Sequence, residues 1–134
     1  MTDFVHLHVH SQYSLLDGAA SLERLVAEAA ATGQRAVALT DHGVMYGAFK
    51  FYQAAKAAGI KPVIGCEVYV AKRSRYDRQA KVDDDPYHLV LLAENEQGYK
   101  NLTKLVSLGH LDGFYYRPRV DRELLAEYAA GLIA

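Results

Sequence analysis

The sequence holds a single cysteine, Cys66, in 134 residues. That excludes an intramolecular disulfide, and the lack of any Cys-x-x-Cys pair removes a thiolate zinc cluster from consideration. There is no surplus of either charge: 15 Lys and Arg stand against 16 Asp and Glu. The whole-chain charge therefore neither requires nor excludes a nucleic-acid partner, and any basic surface must be local. No apolar run approaches the roughly 18 residues that span a bilayer. The chain begins Thr2-Asp3-Phe4 in place of a basic, then hydrophobic, leader. Internal repeats and low-complexity tracts are absent too. What remains is 51% apolar, enough for one compact domain with its own core. It is expected to be soluble, unprocessed and housed in a reducing cytoplasm.

The first pattern present is an alternation. Phe4 to His10 sets histidine at 6, 8 and 10 against Val5, Leu7 and Val9, the period of a strand with two unlike faces. After a turn at Asp17-Gly18, Ser21 can cap a helix through Leu22, Leu25, Val26 and Ala29, closed by Gly33. The unit repeats as a strand Ala36 to Thr40, a loop Asp41-His42-Gly43 and a helix Met45 to Ala58. A third strand is expected from Pro62 to Val70, a polar loop from Ala71 to Pro86 and a fourth strand from Tyr87 to Ala93. A helix from Glu96 to Leu108, another capped by Asp121, and a strand beginning at Gly131 complete the reading. Strands alternating with helices predict an α/β fold with parallel pairing, in a barrel or open sheet. Four or five such units are too few to close a barrel of about 200 residues or more. The chain is accordingly read as residues 1–134 of a longer protein, interrupted before a barrel closes.

Residues two apart on a strand point the same way and lie roughly 6.5 Å apart, so His8 and His10 can aim imidazoles at one cation or at two neighbours. Burying several imidazoles on one face without a shared partner is costly. The other candidates sit where strands meet loops, the edge at which β/α folds collect functional groups: Asp17, His42, Glu67 and His88. Histidine with carboxylate suits zinc, manganese or iron, and Glu67 can bridge two cations. Asp41 is read as a group behind the site, orienting an imidazole or capping the next helix. His6 is taken as a packing neighbour, His110 as a partner of a helix C-terminus, and Cys66 as a small buried apolar residue. The basic stretch Lys72, Arg73, Arg75, Arg78 and Lys81 is expected to be a solvated loop compensated by Asp83-Asp84-Asp85. Phe114-Tyr115-Tyr116-Arg117 is expected to pack into a core or a partner surface in preference to stacking on bases.

The runs His8-Val9-His10-Ser11, Ser14-Leu15-Leu16-Asp17-Gly18, Thr40-Asp41-His42-Gly43, Gly65-Cys66-Glu67 and His88-Leu89-Val90-Leu91-Leu92 together resemble the PHP (polymerase and histidinol phosphatase) superfamily. Within it, Tyr46-Gly47-Ala48, Phe51-Tyr52, Gly59-Ile60-Lys61-Pro62 and Gly113-Phe114-Tyr115 are similar to the branch that forms the N-terminal domain of bacterial replicative DNA polymerases. The resemblance implies a distorted (β/α) barrel of seven units, here partial. It implies up to three divalent cations, zinc or manganese, at the C-terminal ends of the strands. Motif by motif, the ligands it implies fall on His8, His10, Asp17, His42, Glu67 and His88, all present. The remaining ligands, a cysteine or histidine and an Asp-x-His pair, are expected beyond Ala134, so this stretch alone should bind metal weakly and act poorly.

The activity implied is metal-dependent phosphodiester hydrolysis, as a 3'-5' exonuclease on DNA. The partners implied are DNA, the sliding clamp and the proofreading subunit. One rival reading is a non-catalytic module that stabilises the polymerase and docks those partners. Another is a stand-alone phosphatase of the histidinol-phosphate type.

Overall fold

The computed structural model describes residues 4–15 and 17–134; Thr2, Asp3 and Leu16, quoted above, lie outside them. Its elements are α1 (Leu22–Ala31), β1 (Ala36–Leu39), α2 (Ala48–Ala57), β2 (Lys61–Val70), β3 (Tyr87–Ala93), α3 (Glu96–Leu111), β4 (Arg119–Val120), α4 (Arg122–Glu127) and β5 (Leu132–Ile133). The sheet runs β1-β2-β3-β5, with β4 also paired to β2. No helix among the described residues is long and apolar enough to cross a membrane.

Local chemistry explains most boundaries. Ser21 accepts a hydrogen bond from the Arg24 amide at the start of α1, and Leu22, Val26 and Ala29 on its inner face are buried. Asn95 caps α3 through Gly98, and Asp121 caps α4 through Leu124. The helix expected from Met45 begins only at Ala48, because Gly47 offers no side-chain cap and the preceding residues form a turn. In turn, α3 outruns its expected end at Leu108: Gly109 stays inside the helix, buried where it passes Pro118 and Arg119. β4 had no sequence signal, being two residues long.

Two departures concern strand order and direction. The mixed α/β class and the partial barrel are as expected, and β1 and β4 pair with β2 in parallel. However, β2–β3 and β3–β5 are antiparallel. The reason is the segment 71–86, which forms no helix and so cannot carry the chain back across the sheet for a parallel return. Secondly, Phe4–His10 lies beside β1 without forming a regular strand. Ala38 donates to the His6 carbonyl at 2.9 Å, but Thr40 donates to Val9 at 2.8 Å. Three steps on one chain thus match two on the other, and the extra residue breaks the ladder in the manner of a bulge. The Thr40 hydroxyl occupies the gap, accepting from the Val9 amide at 2.8 Å.

The apolar interior has two parts. Leu22, Val26, Phe51 and Ala55 of α1 and α2 close over Val37 and Leu39 of β1. Leu102, Leu105 and Leu124 of α3 and α4 close over Cys66, Val68, Leu91 and Val120. Cys66 is wholly buried, and burial pushes its thiol up to about 12, so it is a neutral filler as expected. The loop 71–86 is tied down by fully buried Arg119, whose guanidinium donates to the carbonyls of Arg75, Asp77, Asp83 and Gly113.

Candidate metal centre

β2 supplies the floor of the site. Beyond Leu39, the chain at Asp41-His42-Gly43 continues alongside β2: Glu67 donates to the Asp41 carbonyl at 3.1 Å and Gly43 to the Glu67 carbonyl at 3.0 Å. This sets His42 beside Glu67. Gly43 then turns away at φ +65°, where a Cβ would stand 2.8 Å from Pro118 and 3.1 Å from the Tyr69 ring, so the position needs glycine on both counts. On the other edge of β2, Tyr69 faces His88 of β3, which brings that imidazole over the same face as Glu67.

The six candidate side chains meet around two carboxylates. Glu67 Oε2 contacts His8 Nε2 and lies 2.7 Å from His10 Nε2; its Oε1 lies 2.7 Å from His88 Nδ1 and 3.7 Å from His42 Nδ1. Asp17 Oδ2 lies 2.7 Å from His10 Nδ1 and 3.0 Å from His42 Nε2. Three overlapping donor sets result: His8, His10 and Glu67; His10, Asp17 and His42; His42, Glu67 and His88, each with its ligand atoms within 4.8 Å of one another. Glu67 is 4% exposed, whereas the side chains of His8 and His88 are 55% and 49% exposed. The cluster is a buried carboxylate under an open rim.

Its electrostatics point the same way. Burial alone would raise the Glu67 carboxyl, but hydrogen bonds from His8, His10 and His88 and the neighbouring charge of His42 outweigh it and hold it below the usual carboxylate value. Asp17 is also lowered: desolvation is overcome by the Ser14 hydroxyl and by His10 and His42. Both carboxylates therefore stay ionised beside four imidazoles. His42 Nδ1 is buried without a hydrogen-bond partner, a costly state for a free imidazole nitrogen. A cation among these nitrogens and carboxylate oxygens would satisfy it, so the donor set fits divalent metal.

Asp41 differs from its expected role. Its carboxylate meets no imidazole and caps no helix; it accepts from the Ser11 amide at 2.5 Å and the Ser11 hydroxyl at 2.8 Å. Only 1% exposed, it fixes the backbone one residue past His10. His110 also differs: beyond any effect on its own helix end, its Nε2 donates to the Gly43 carbonyl at 2.9 Å and so steadies the His42 loop. His6 stays outside the cluster, edge-on to Phe4. The basic stretch is compensated only partly by its own acidic run: Lys72 pairs with Asp85 and Arg73 with Asp83, but Arg75 pairs with Asp121 at the start of α4.

Three residues not assigned to the site from the sequence also border it. Ser14 accepts from the His42 amide and bonds Asp17. Tyr69 stacks on His42 at 5.7 Å and stands edge-on to His88 at 5.0 Å; its place two residues after Glu67 on one strand was a usable signal. Arg117 sits 5.7 Å from the centre of the Tyr69 ring.

The PHP domain family matches residues 6–134. The chain belongs to the PHP family. This PHP chain is 59% identical over 131 residues to DNA polymerase III subunit alpha of Treponema pallidum, covering 97% of the chain and 11% of that protein. It is 51% identical over 138 residues to the Aquifex aeolicus subunit of that name, covering 98% of the chain and 12% of the relative. It thus spans about a ninth of the length of these relatives. Among solved structures, a putative metal-dependent phosphoesterase from Bifidobacterium adolescentis superposes with a TM-score of 0.58 at 19% identity, over 80% of this chain and 33% of that one. An amidohydrolase from Chromobacterium violaceum, solved with sulfate and no metal, gives a TM-score of 0.57 at 28% identity, over 79% and 33%.

Proposed function

We propose that this PHP chain is the metal-holding part of a bacterial replicative DNA polymerase and hydrolyses phosphodiester bonds of DNA as a 3'-5' exonuclease. The observation that carries the reading is the convergence of four imidazoles with two ionised carboxylates, Glu67 and Asp17. His8, His10, Asp17, His42, Glu67 and His88 would hold zinc or manganese, up to three ions in the complete domain. Bound there, divalent cations supply Lewis acidity toward a phosphoryl oxygen and acidify water. The chain's own residues do the placing. Glu67 offers one oxygen to His8 and His10 and the other to His42 and His88, so its two oxygens serve two donor sets. Asp41 through Ser11, and His110 through Gly43, hold the two loops that carry His10 and His42. The exposed rim of His8, Asp17 and His88 leaves room for a strand end to approach. DNA, the clamp and the proofreading subunit are the proposed partners, in the cytoplasm.

The test is made on the parent polypeptide. His8→Ala and Asp17→Asn should abolish exonuclease activity, lower bound metal and spare nucleotide addition; both activities intact with metal still bound would sink the reading. A second reading, a docking module without catalysis, draws on the exposed apolar groove lined by Phe49, Tyr52 and Tyr99 over Pro62, Ile64 and Ala93. Elemental analysis of the purified parent finding no metal would favour it. A stand-alone phosphomonoesterase is the weaker rival, since similarity to polymerase subunits covers nearly the whole chain.

A further inference from the structure

Beside the metal centre lies a second cavity of about 360 Å³ that shares Asp17 and His42 with it and has Tyr46, Tyr69, Phe114, Tyr116 and Arg117 among its walls. Three of these rings are not core. Tyr46 is 66% exposed, Phe114 51% and Tyr116 65%, so of the two places expected for the run Phe114–Arg117, a core or a partner surface, the core does not hold Phe114 or Tyr116. Arg117 has a different setting from other cations of this region. Lys72, Arg73 and Arg75 each have a carboxylate partner and Arg78 and Arg119 donate to backbone carbonyls, whereas among the described residues the Arg117 guanidinium has no hydrogen-bonded or ion-pair partner and rests over Tyr69. The backbone here is held in an unusual shape. Tyr116 has φ +57°, in the left-handed region, and Tyr115 bridges to the Arg117 carbonyl at 3.0 Å. A tyrosine in that region carries strain, which marks places where a side chain must be aimed.

We propose that this cavity seats the terminal nucleotide of a single DNA strand, with Arg117 binding the phosphate beside the metal centre and Tyr46, Phe114 and Tyr116 offering faces to the base. The proposal rests on the phosphodiesterase reading and names the residues that deliver its substrate. Three observations converge: an unpaired guanidinium matches a phosphate, exposed flat rings match a base of any identity, and continuity with Asp17 and His42 places both next to the hydrolytic donors. Selectivity follows from the same geometry. Rings and one cation read a base face and a phosphate but no base edge, so the seat accepts all four nucleotides and requires an unpaired end.

The test uses the parent polypeptide and two readouts. In hydrolysis of a single-stranded oligodeoxynucleotide, Arg117→Gln should raise KM about tenfold with kcat within about twofold, as expected for lost hydrogen bonds to a charged group. Arg117→Lys should recover part of that loss, keeping the charge without the fork. With metal stripped by chelator, an oligonucleotide carrying 5-iodouracil at its 3' end should photo-cross-link to Tyr46, Phe114 or Tyr116, mapped by mass spectrometry, and Arg117→Gln should cut that yield. An internal 5-iodouracil should not label these residues. Cross-links only elsewhere, or an unchanged KM in Arg117→Gln, would overturn the proposal, as would a partner protein found covering these rings. Failure of the underlying reading looks different: His8→Ala would then retain hydrolysis, whatever the cross-links show.

Discussion

Glu67 engages four imidazoles with two oxygens, so its charge and its shape can be separated by experiment. Glu67→Gln keeps the shape and removes the charge that balances a cation. Metal affinity of the parent polypeptide should fall at least tenfold, within the range that even outer-shell changes reach, as read by competition with a chromophoric chelator; wild-type affinity would show that Glu67 is not a ligand. At this scale the sequence was highly legible, since His8, His10, Asp17, His42, Glu67 and His88 all meet in one cluster. Asp41 was not, because its partner Ser11 lies 30 residues away and donates both its amide and its hydroxyl. Residue type fixed the carboxylate, but only packing chose its partner.

Elements were legible in proportion to their periodicity and caps. α1, with Ser21 before it and a clean apolar stripe, came within a residue or two of its bounds, and so did β3. The direction of β3 was misjudged although the signal was present: a polar stretch without a helical period between two strands argues for a hairpin. Phe4–His10 misled differently, for alternation describes side chains and says nothing of a slipped backbone ladder. The hairpin loop 71–86 has its own chemistry. Arg73 Nε donates to Asp83 Oδ1 at 3.0 Å, its Nη2 reaches Oδ2, and this pairing holds the Asp83 carboxyl at about 2. A carboxyl lowered in the fold adds stability above its unfolded value, about 4, and loses that contribution as pH falls through the folded one. Protection of the Gln79 amide, which donates to Asp83 at 2.8 Å, should therefore persist to about pH 4 and decay toward pH 2. In Asp83→Asn it should be weak throughout; decay of the wild type near neutral pH would contradict this assignment.

For the molecule as a whole, the opening on one side of the metal centre matters most. His8 and His88 are each about half exposed, and each donor set holds three residues, fewer than the four ligands of a closed structural zinc site. On the proposed reading, residues 1–134 on their own should bind divalent metal at least tenfold more weakly than the parent polypeptide, because metal affinity and folding are coupled. Equal affinities, measured against the same chelator, would mean that these residues are sufficient.

The wide spacing of the donors also sets an order in time. His8 lies 59 residues before Glu67 and His88 lies 21 residues after it, so, although His10, Asp17 and His42 fall within one early stretch, neither donor set built on Glu67 is local in the chain. Closing those long loops belongs with the slow, non-local part of folding. A cation would meet its full set of partners only in a nearly finished molecule, where it acts as a latch: its removal should leave the rate of folding almost unchanged and speed unfolding.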